Sequence, residues 1–278
     1  MQSSEESRRS PISCVQVVIL DWAGTTVDHG SIAPVMAFIE TFRRHGVDIT
    51  VAEARAPMGM HKRDHIRVIT EMAPVAARWA GAHGRRPGDA DVAAMYEEFI
   101  PLQLSVLAEY AEPIPGTLPA IAELRRRGVR IGSTTGYNRQ MMEVLVPEAA
   151  RRGYRPDSVV CASDVPAGRP EPWMALRSAM ELRAFPPAAI VKVGDTVPDV
   201  DEGLNAGMWV VAVTLTGNEL GLSVQELEAL PPDELDVRRK AASARLLAAG
   251  AHEAIDGIWG LPQALEQIEA RLARGEKP

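Results

Sequence analysis

Two aspartates and a lysine pose the chemical question. Asp21 ends the apolar, β-branched run Val15–Leu20 and is followed by the small residues Ala23, Gly24 and Thr25. Asp195 ends a second such run, Ala189–Val193, and Asp199 follows one helical turn later. An aspartate at the carboxyl end of a buried parallel strand stands where open α/β sheets bind ligands. The backbone N–H groups of the loop Ala23-Gly24-Thr25 are expected to be free to meet an anion there. A carboxylate facing an anion needs either a metal between them or a reason to attack. A divalent cation shared by Asp21 and Asp195 would neutralise both, and hard oxygen ligands favour Mg²⁺. Asp199 could hold a metal-bound water. Thr135 and Arg169 would bind phosphoryl oxygens, the arginine as a planar fork. Taken singly, each feature has an ordinary reading: an N-cap, a Thr-Thr-Gly turn, a solvated arginine beside a proline. Their order along one chain points to a single phosphoryl-transfer site.

The elements that must bring these residues together follow from periodicity. Runs at 15–20, 129–134, 158–161, 189–193 and 209–213 read as strands, and Ala254-Ile255 as a further short one. Helical spacing runs over 34–45, and the capping-box pattern Thr50-Val51-Ala52-Glu53 opens a second helix. Pro57-Met58-Gly59-Met60 interrupts it, and 61–70 is helical again. A long helix passes through Met95 to Leu107, and others cover 118–127, 139–152, 172–182 and the stretch from Thr196 to about Gly207. No strand is evident between about Ser31 and Ala108. The fold class is therefore α/β, a doubly wound parallel sheet with an inserted all-helical cap. The core domain takes 13–30 and 109–278, the cap 31–108, and residues 1–12 a disordered tail. The region from Leu222 to Gly250 reads as packing helices.

With a net charge of −7, the 278-residue chain lacks the basic balance of a nucleic-acid binder, and no apolar run suits a membrane span. The polar N-terminus has no signal-peptide centre. Two cysteines, Cys14 and Cys161, build no disulfide framework, so the cytoplasm is the expected compartment.

The ordered motifs at 15–30 and 113–260 resemble the haloacid dehalogenase superfamily, whose phosphotransferases use an aspartate nucleophile. Its phosphatases read Asp-x-Asp, and the second Asp protonates the departing alkoxide; here that position is Ala23. Without the acid, ester hydrolysis should be poor. Lys62 offers another way to stabilise a leaving group. Its amine can condense with an aldehyde, and the resulting iminium accepts electrons from the adjacent carbon. If that carbon carries phosphorus, the P–C bond can break without an oxygen acid.

The segment Asp-Trp-Ala-Gly-Thr-Thr-Val-Asp (21–28), Pro-Met-Gly (57–59) with Lys62 and His65, and Gly-Ser-Thr-Thr-Gly-Tyr (132–137) extend the likeness. Val-Pro-Ala-Gly-Arg-Pro (165–170) and Val-Gly-Asp-Thr (193–196) with Asp199 complete it. Together they resemble the phosphonoacetaldehyde hydrolase family. The resemblance implies conversion of phosphonoacetaldehyde and water to acetaldehyde and phosphate, in 2-aminoethylphosphonate breakdown, by a homodimer. It implies Asp21 as nucleophile, Lys62 as Schiff-base amine, and Mg²⁺ on Asp21, Asp195 and the Ala23 carbonyl, with Asp199 supporting. Gly24, Thr25, Met58, Thr135, Gly136 and Arg169 would then surround the phosphonate. His65, Tyr137 and His29 are the open choices for moving protons. His61 and His65 could instead suggest a metal pair, but no third ligand lies nearby in sequence. Two other readings are a Mg²⁺-dependent phosphatase of the same superfamily acting on a small ester, and a flavodoxin-like phosphoacceptor module. The latter's lysine belongs on a core strand, not in a helical insertion.

Overall fold

The computed structural model describes residues 14–278, so the tail expected over residues 1–12 lies outside the described residues. Six parallel strands form one sheet in the order β3-β2-β1-β4-β5-β6. They are β1 (Val17–Leu20), β2 (Arg130–Thr135), β3 (Ser158–Cys161), β4 (Ile190–Gly194), β5 (Trp209–Val213) and β6 (Glu253–Ile255). All four β1 residues are buried, as expected of a strand covered on both faces. The short sixth strand pairs with β5 and places Ile255 opposite Val213.

Between β1 and the next helix of the α/β unit come α1 (Ile32–Arg44), α2 (Val51–Arg55), α3 (Lys62–Glu71), α4 (Ala73–His83) and α5 (Asp89–Leu107). The capping box of α2 is formed: Thr50 N–H donates to the Glu53 carboxylate at 2.8 Å, and Glu53 N–H donates to Thr50 Oγ1 at 3.1 Å. Helix α4 is not singled out by apolar spacing; a proline in its first turn and Gly84 in a left-handed conformation bound it. Helix α5 packs on α1, α3 and α7 (Arg139–Arg151). Phe38, Phe42, Ile66 and Phe99 of these helices share one buried apolar cluster with Leu20, Tyr137 and Met141. Each such side chain contributes roughly 1.5–3 kcal/mol by leaving water, so the helical layer is seated firmly on the sheet's carboxyl edge. Arg55 adds a polar tie, donating to Gly30 O at 2.8 Å, Asn218 Oδ1 at 3.1 Å and Gly221 O at 2.9 Å.

The remaining helices are α6 (Thr117–Arg126), α8 (Trp173–Glu181), α9 (Val197–Asn205), α10 (Val224–Ala229), α11 (Pro232–Ala248) and α12 (Leu261–Ala273). No described helix is long and apolar enough to cross a membrane.

Candidate active site

Strand register decides which residues meet. Leu20 pairs with Ser133 on one side and Val193 on the other, so Asp21, Thr134 and Gly194-Asp195 end side by side. β1 is also where the chain leaves toward β2 on one side and later returns to β4 on the other. That switch point is the crevice such sheets use for ligands.

The loop after Asp21 differs from its expected use. Gly24 N–H donates to Val27 O at 2.8 Å and Thr25 N–H to Trp22 O at 3.3 Å, so neither is free for an anion. The Thr25 hydroxyl donates to Asp195 Oδ1 at 2.9 Å, and neither residue lines the cavity beside Asp21. The loop is wound on itself, so these two residues serve the aspartates rather than an incoming oxyanion. Gly24, at φ 87°, is required by close approach: a Cβ there would lie 2.4 Å from Asp195 Oδ2. Asp195 is not a helix cap either. That part goes to Thr196, whose side chain accepts from Asp199 N–H.

Asp21, Asp195 and Asp199 are all buried, and one carboxylate oxygen from each lies within 4.8 Å of the others. Arg169 NH2 pairs with Asp21 Oδ1 at 2.7 Å and Asp199 Oδ1 at 2.9 Å, and Lys192 Nζ pairs with Asp199 at 2.6 Å. Glu202 joins through Arg169 Nε at 2.8 Å. Four buried carboxylates thus face two buried cations, which leaves two negative charges uncompensated. Asp195 carries the imbalance. Among the described residues it has no cationic partner, only the Thr25 hydroxyl and the Asn218 N–H at 2.8 Å. Burial, then Asp21 and Asp199, push its carboxyl well above the usual range. Burial and Asp199 raise Asp21 to about 6 against the pull of Arg169 and Lys192. For Asp199 burial also pushes upward, but Arg169 and Lys192 outweigh it and leave the group below its ordinary value. An unpaired buried carboxylate costs several kcal/mol. A divalent cation taken by oxygen donors removes this excess, so the residues present fit one. Asp199, already held by Arg169, Lys192 and Thr196, is committed to supporting them.

Across the cavity stands Lys62, the first residue of α3, only 4 % exposed. Asp21, Ala23, Met58, Gly59, Lys62, Thr135, Gly136, Tyr137 and Arg169 line the same space, with Ser31, Pro34 and Thr196. The Lys62 amine lies 3.9 Å from Met58 Sδ, and 5.5 and 5.1 Å from the ring centres of Phe38 and Tyr137. No carboxylate is within ion-pair distance of it among the described residues. Aromatic faces favour an ammonium, but burial is the larger effect and brings the amine down to about 8, with Asp21 opposing and Arg169 assisting. The positive end of the α3 dipole acts in the same direction.

The proposed proton carriers are placed unequally. Tyr137 reaches the cavity, and its hydroxyl is buried with no hydrogen-bond partner. Burial and then Asp28 hold it well above the usual tyrosine value, so it stays protonated. His65 is fully buried beneath Lys62 but does not line the cavity. Its Nε2 is 2.8 Å from Ala54 O, its ring stacks on Phe38 at 3.9 Å, and burial keeps it neutral. His29 is turned away, its Nδ1 2.9 Å from Leu222 O. His61 caps α3 by accepting from Arg63 N–H, and no histidine joins the acidic trio.

Four residues that motif reading did not assign belong to the site's frame. Lys192, Glu202 and Thr134 enclose Arg169, and Asp28 holds the start of α1 by accepting from Ile32 and Ala33 N–H. A lysine inside the apolar run Ile190–Val193 was one available signal, because a buried cation demands a partner. Glu202, three residues past Asp199 on one helix face, was the other.

Gly136 lines the cavity, and it also governs how closely the loop after α2 approaches. A Cβ there would lie 2.5 Å from Met60 O and 2.9 Å from Gly59 O. Arg169 NH1 reaches the same Gly59 carbonyl at 3.3 Å. Replacing Gly136 by Ala should push this loop, and Lys62 after it, away from Asp21. A misplacement near 1 Å can cost about 100-fold in turnover. Steady-state kinetics alongside a melting curve checks this: turnover within threefold of wild type would show that the close approach is dispensable.

Buried aspartates at the edge of a parallel sheet, with a helical layer set over them, define the class, and residues 15–207 match the haloacid dehalogenase-like hydrolase family. The chain is 52 % identical over 264 residues to the phosphonoacetaldehyde hydrolase of Nitratidesulfovibrio vulgaris, covering 95 % of this chain and 94 % of that one. It is 47 % identical to that of Paraburkholderia phytofirmans, with 95 % and 99 % covered. The crystal structure of a phosphonoacetaldehyde hydrolase-like protein from Oleispira antarctica superimposes with a TM-score of 0.94 at 42 % identity, covering 97 % and 99 %. The chain belongs to the phosphonoacetaldehyde hydrolase family of haloacid dehalogenase-like hydrolases.

Proposed function

We propose that this enzyme hydrolyses the P–C bond of phosphonoacetaldehyde, giving acetaldehyde and phosphate as a step in 2-aminoethylphosphonate breakdown. The observation that carries the reading is a buried lysine amine with no carboxylate partner in the same cavity as Asp21, where Ala23 stands in place of an acid. Residues 31–108 serve as the cap. The cavity amounts to about 20 Å³, water-sized rather than phosphonate-sized. Admitting the substrate therefore requires this cap to open.

In the reaction, the neutral Lys62 amine condenses with the aldehyde and releases water. Asp21 attacks phosphorus in line while Arg169 and Thr135 hold the phosphonate oxygens. The P–C electron pair passes to carbon as an enamine, so no oxygen acid is needed. Of the three candidates only Tyr137 lines the cavity, which supports it as the relay for this proton. It passes one to the enamine carbon as it takes one from the water that enters to hydrolyse the imine, so no tyrosinate is left behind. Water then frees acetaldehyde from Lys62, and a second water cleaves the aspartyl phosphate. A Mg²⁺ ion held by Asp21, Asp195 and the Ala23 carbonyl would screen the phosphonate charge from the nucleophile.

A phosphate-release assay with phosphonoacetaldehyde beside a panel of phosphate esters, with and without Mg²⁺, tests the reading. Release from the phosphonate alone supports it; preference for an ester would replace it with the phosphatase.

Because Lys62 attacks as the free amine, its protonation sets the pH profile. With a value of about 8, about a tenth is neutral at pH 7, against about one part in 3,000 for an ordinary lysine. The rate of Schiff-base formation should rise with pH and level off above 8. A profile flat from pH 6 to 9 would show that the amine does not limit this step.

We also propose a homodimer, placed in the cytoplasm, where its two free thiols stay reduced. Supporting the dimer, Trp173 and Met180 are seven residues apart on α8, 45 % and 77 % exposed on one face. Met180→Glu should shift the sedimentation coefficient to that of a monomer, and an unchanged dimer would place the interface elsewhere.

A further inference from the structure

Arg169 has more partners than a phosphoryl-binding fork needs. Its NH2 faces Asp21 Oδ1, Thr134 O and Thr134 Oγ1 at 2.7, 3.1 and 3.0 Å, and its NH1 faces Gly59 O at 3.3 Å. Its root is held separately: Nε donates to Glu202 Oε2 at 2.8 Å. Glu202 lies on α9, is fully buried, and also accepts from Thr134 Oγ1 at 3.1 Å while facing Lys192 Nζ at 3.5 Å. Its second oxygen, Oε1, is buried without a partner. A buried carboxylate with one idle oxygen is costly for stability alone, and Lys192 already has Asp199 at 2.6 Å.

We propose that Glu202 is a positioning residue that acts through Arg169. By engaging Nε from behind, it fixes the plane of the guanidinium. Both terminal nitrogens are thereby presented at the cavity, one toward Asp21 and one toward the loop that carries Lys62. With Glu202 on Nε, NH2 already faces Asp21 Oδ1 and Asp199 Oδ1 at 2.7 and 2.9 Å, while NH1 is kept off these carboxylates and turned to Gly59 O. Were Glu202 absent, nothing would hold Nε, and the fork could turn so that a second nitrogen also pairs with Asp21 and Asp199, which removes a donor from the incoming phosphonate. The proposal rests on the P–C hydrolase reading for its kinetic arm and is independent of it for its binding arm.

The test compares Glu202→Ala, Glu202→Gln, Arg169→Ala and the Arg169→Ala/Glu202→Ala double variant, all as full chains with Mg²⁺. Calorimetry with inorganic phosphate should show binding weakened about tenfold in Glu202→Ala, and Glu202→Gln, which still accepts from Nε, should recover most of it. With phosphonoacetaldehyde, kcat/KM should fall about 100-fold in Glu202→Ala, while borohydride trapping of Lys62 stays at the wild-type rate. In the Arg169→Ala background the Glu202 substitution should change kcat/KM by no more than about twofold. Full additivity of the two losses, or trapping that falls along with turnover, overturns the proposal. So does phosphate binding unchanged in a folded Glu202→Ala protein. Loss of the fold in both single Glu202 variants would assign the residue to charge balance instead. If wild type releases no phosphate from the phosphonate, the P–C reading fails by itself, and the phosphate-binding comparison still decides the role of Glu202.

Discussion

Lys62→Ala should retain its fold and lose phosphonoacetaldehyde turnover by at least about 10⁴-fold, a barrier increase near 5.5 kcal/mol. The size follows from what the amine does. Carbon is a poor leaving atom unless its electron pair can be delocalised, and the iminium provides that sink. Nothing else in the site can replace it. The chain has four lysines, Lys62, Lys192, Lys240 and Lys277. Lys192 is locked to Asp199 below the cavity, and Lys240 is an exposed partner of Asp236. Truncation also removes a buried side chain that must otherwise be desolvated, so the variant should melt no lower than a few degrees below wild type. Steady-state kinetics with a melting curve separates the two effects. Turnover within tenfold of wild type would mean that the phosphonate is cleaved without an imine.

Asp21→Asn should produce a loss of similar size with the opposite intermediate behaviour. The amide cannot attack phosphorus, so phosphate release should fall at least about 10⁴-fold, as when a nucleophile is removed from other covalent enzymes. Lys62 is untouched, and its Schiff base should still form and be trapped by borohydride. Arg169 keeps Glu202 and Asp199 when the charge at position 21 is lost, so the frame should survive. The pair of variants therefore divides the reaction: one forms no adduct, the other forms it and stops. Phosphate release from Asp21→Asn at an appreciable rate would remove the aspartyl phosphate from the mechanism.

Much of this was legible in the residues. β1 is an uninterrupted apolar run followed by aspartate, and β4 is an apolar run broken only by Lys192 before Gly194-Asp195. The capping box at Thr50 and the break at Pro57-Met58-Gly59 fixed where α3 starts, and hence where Lys62 can sit. Spacing cannot say which loop N–H groups are consumed locally, and those of Gly24 and Thr25 are bonded within their own loop. Nor could it reveal the second tier of charge. Lys192 looks like a defect in a strand until Glu202 and Asp199 are seen beside it, and that contact joins two elements through tertiary packing. Its distance to Lys62 in sequence suggests His65 as a proton carrier. Its ring is instead engaged with Ala54 O and the Phe38 face, a use that helical spacing leaves invisible. Helix α4 escaped notice because its small residues leave few apolar anchors, with only Val75 and Trp79 buried.

The central claim is that one amine from the helical layer takes the electrons carbon leaves with, while one carboxylate of the sheet takes the phosphorus. Borohydride reduction of wild type during turnover of phosphonoacetaldehyde, followed by peptide mass analysis, addresses it most directly. The predicted result is loss of activity in step with an N-ethyl group on Lys62, the reduced form of the acetaldehyde imine, and on no other lysine. Continued phosphate release with Lys62 unmodified, or modification confined to Lys240 or Lys277, would contradict it.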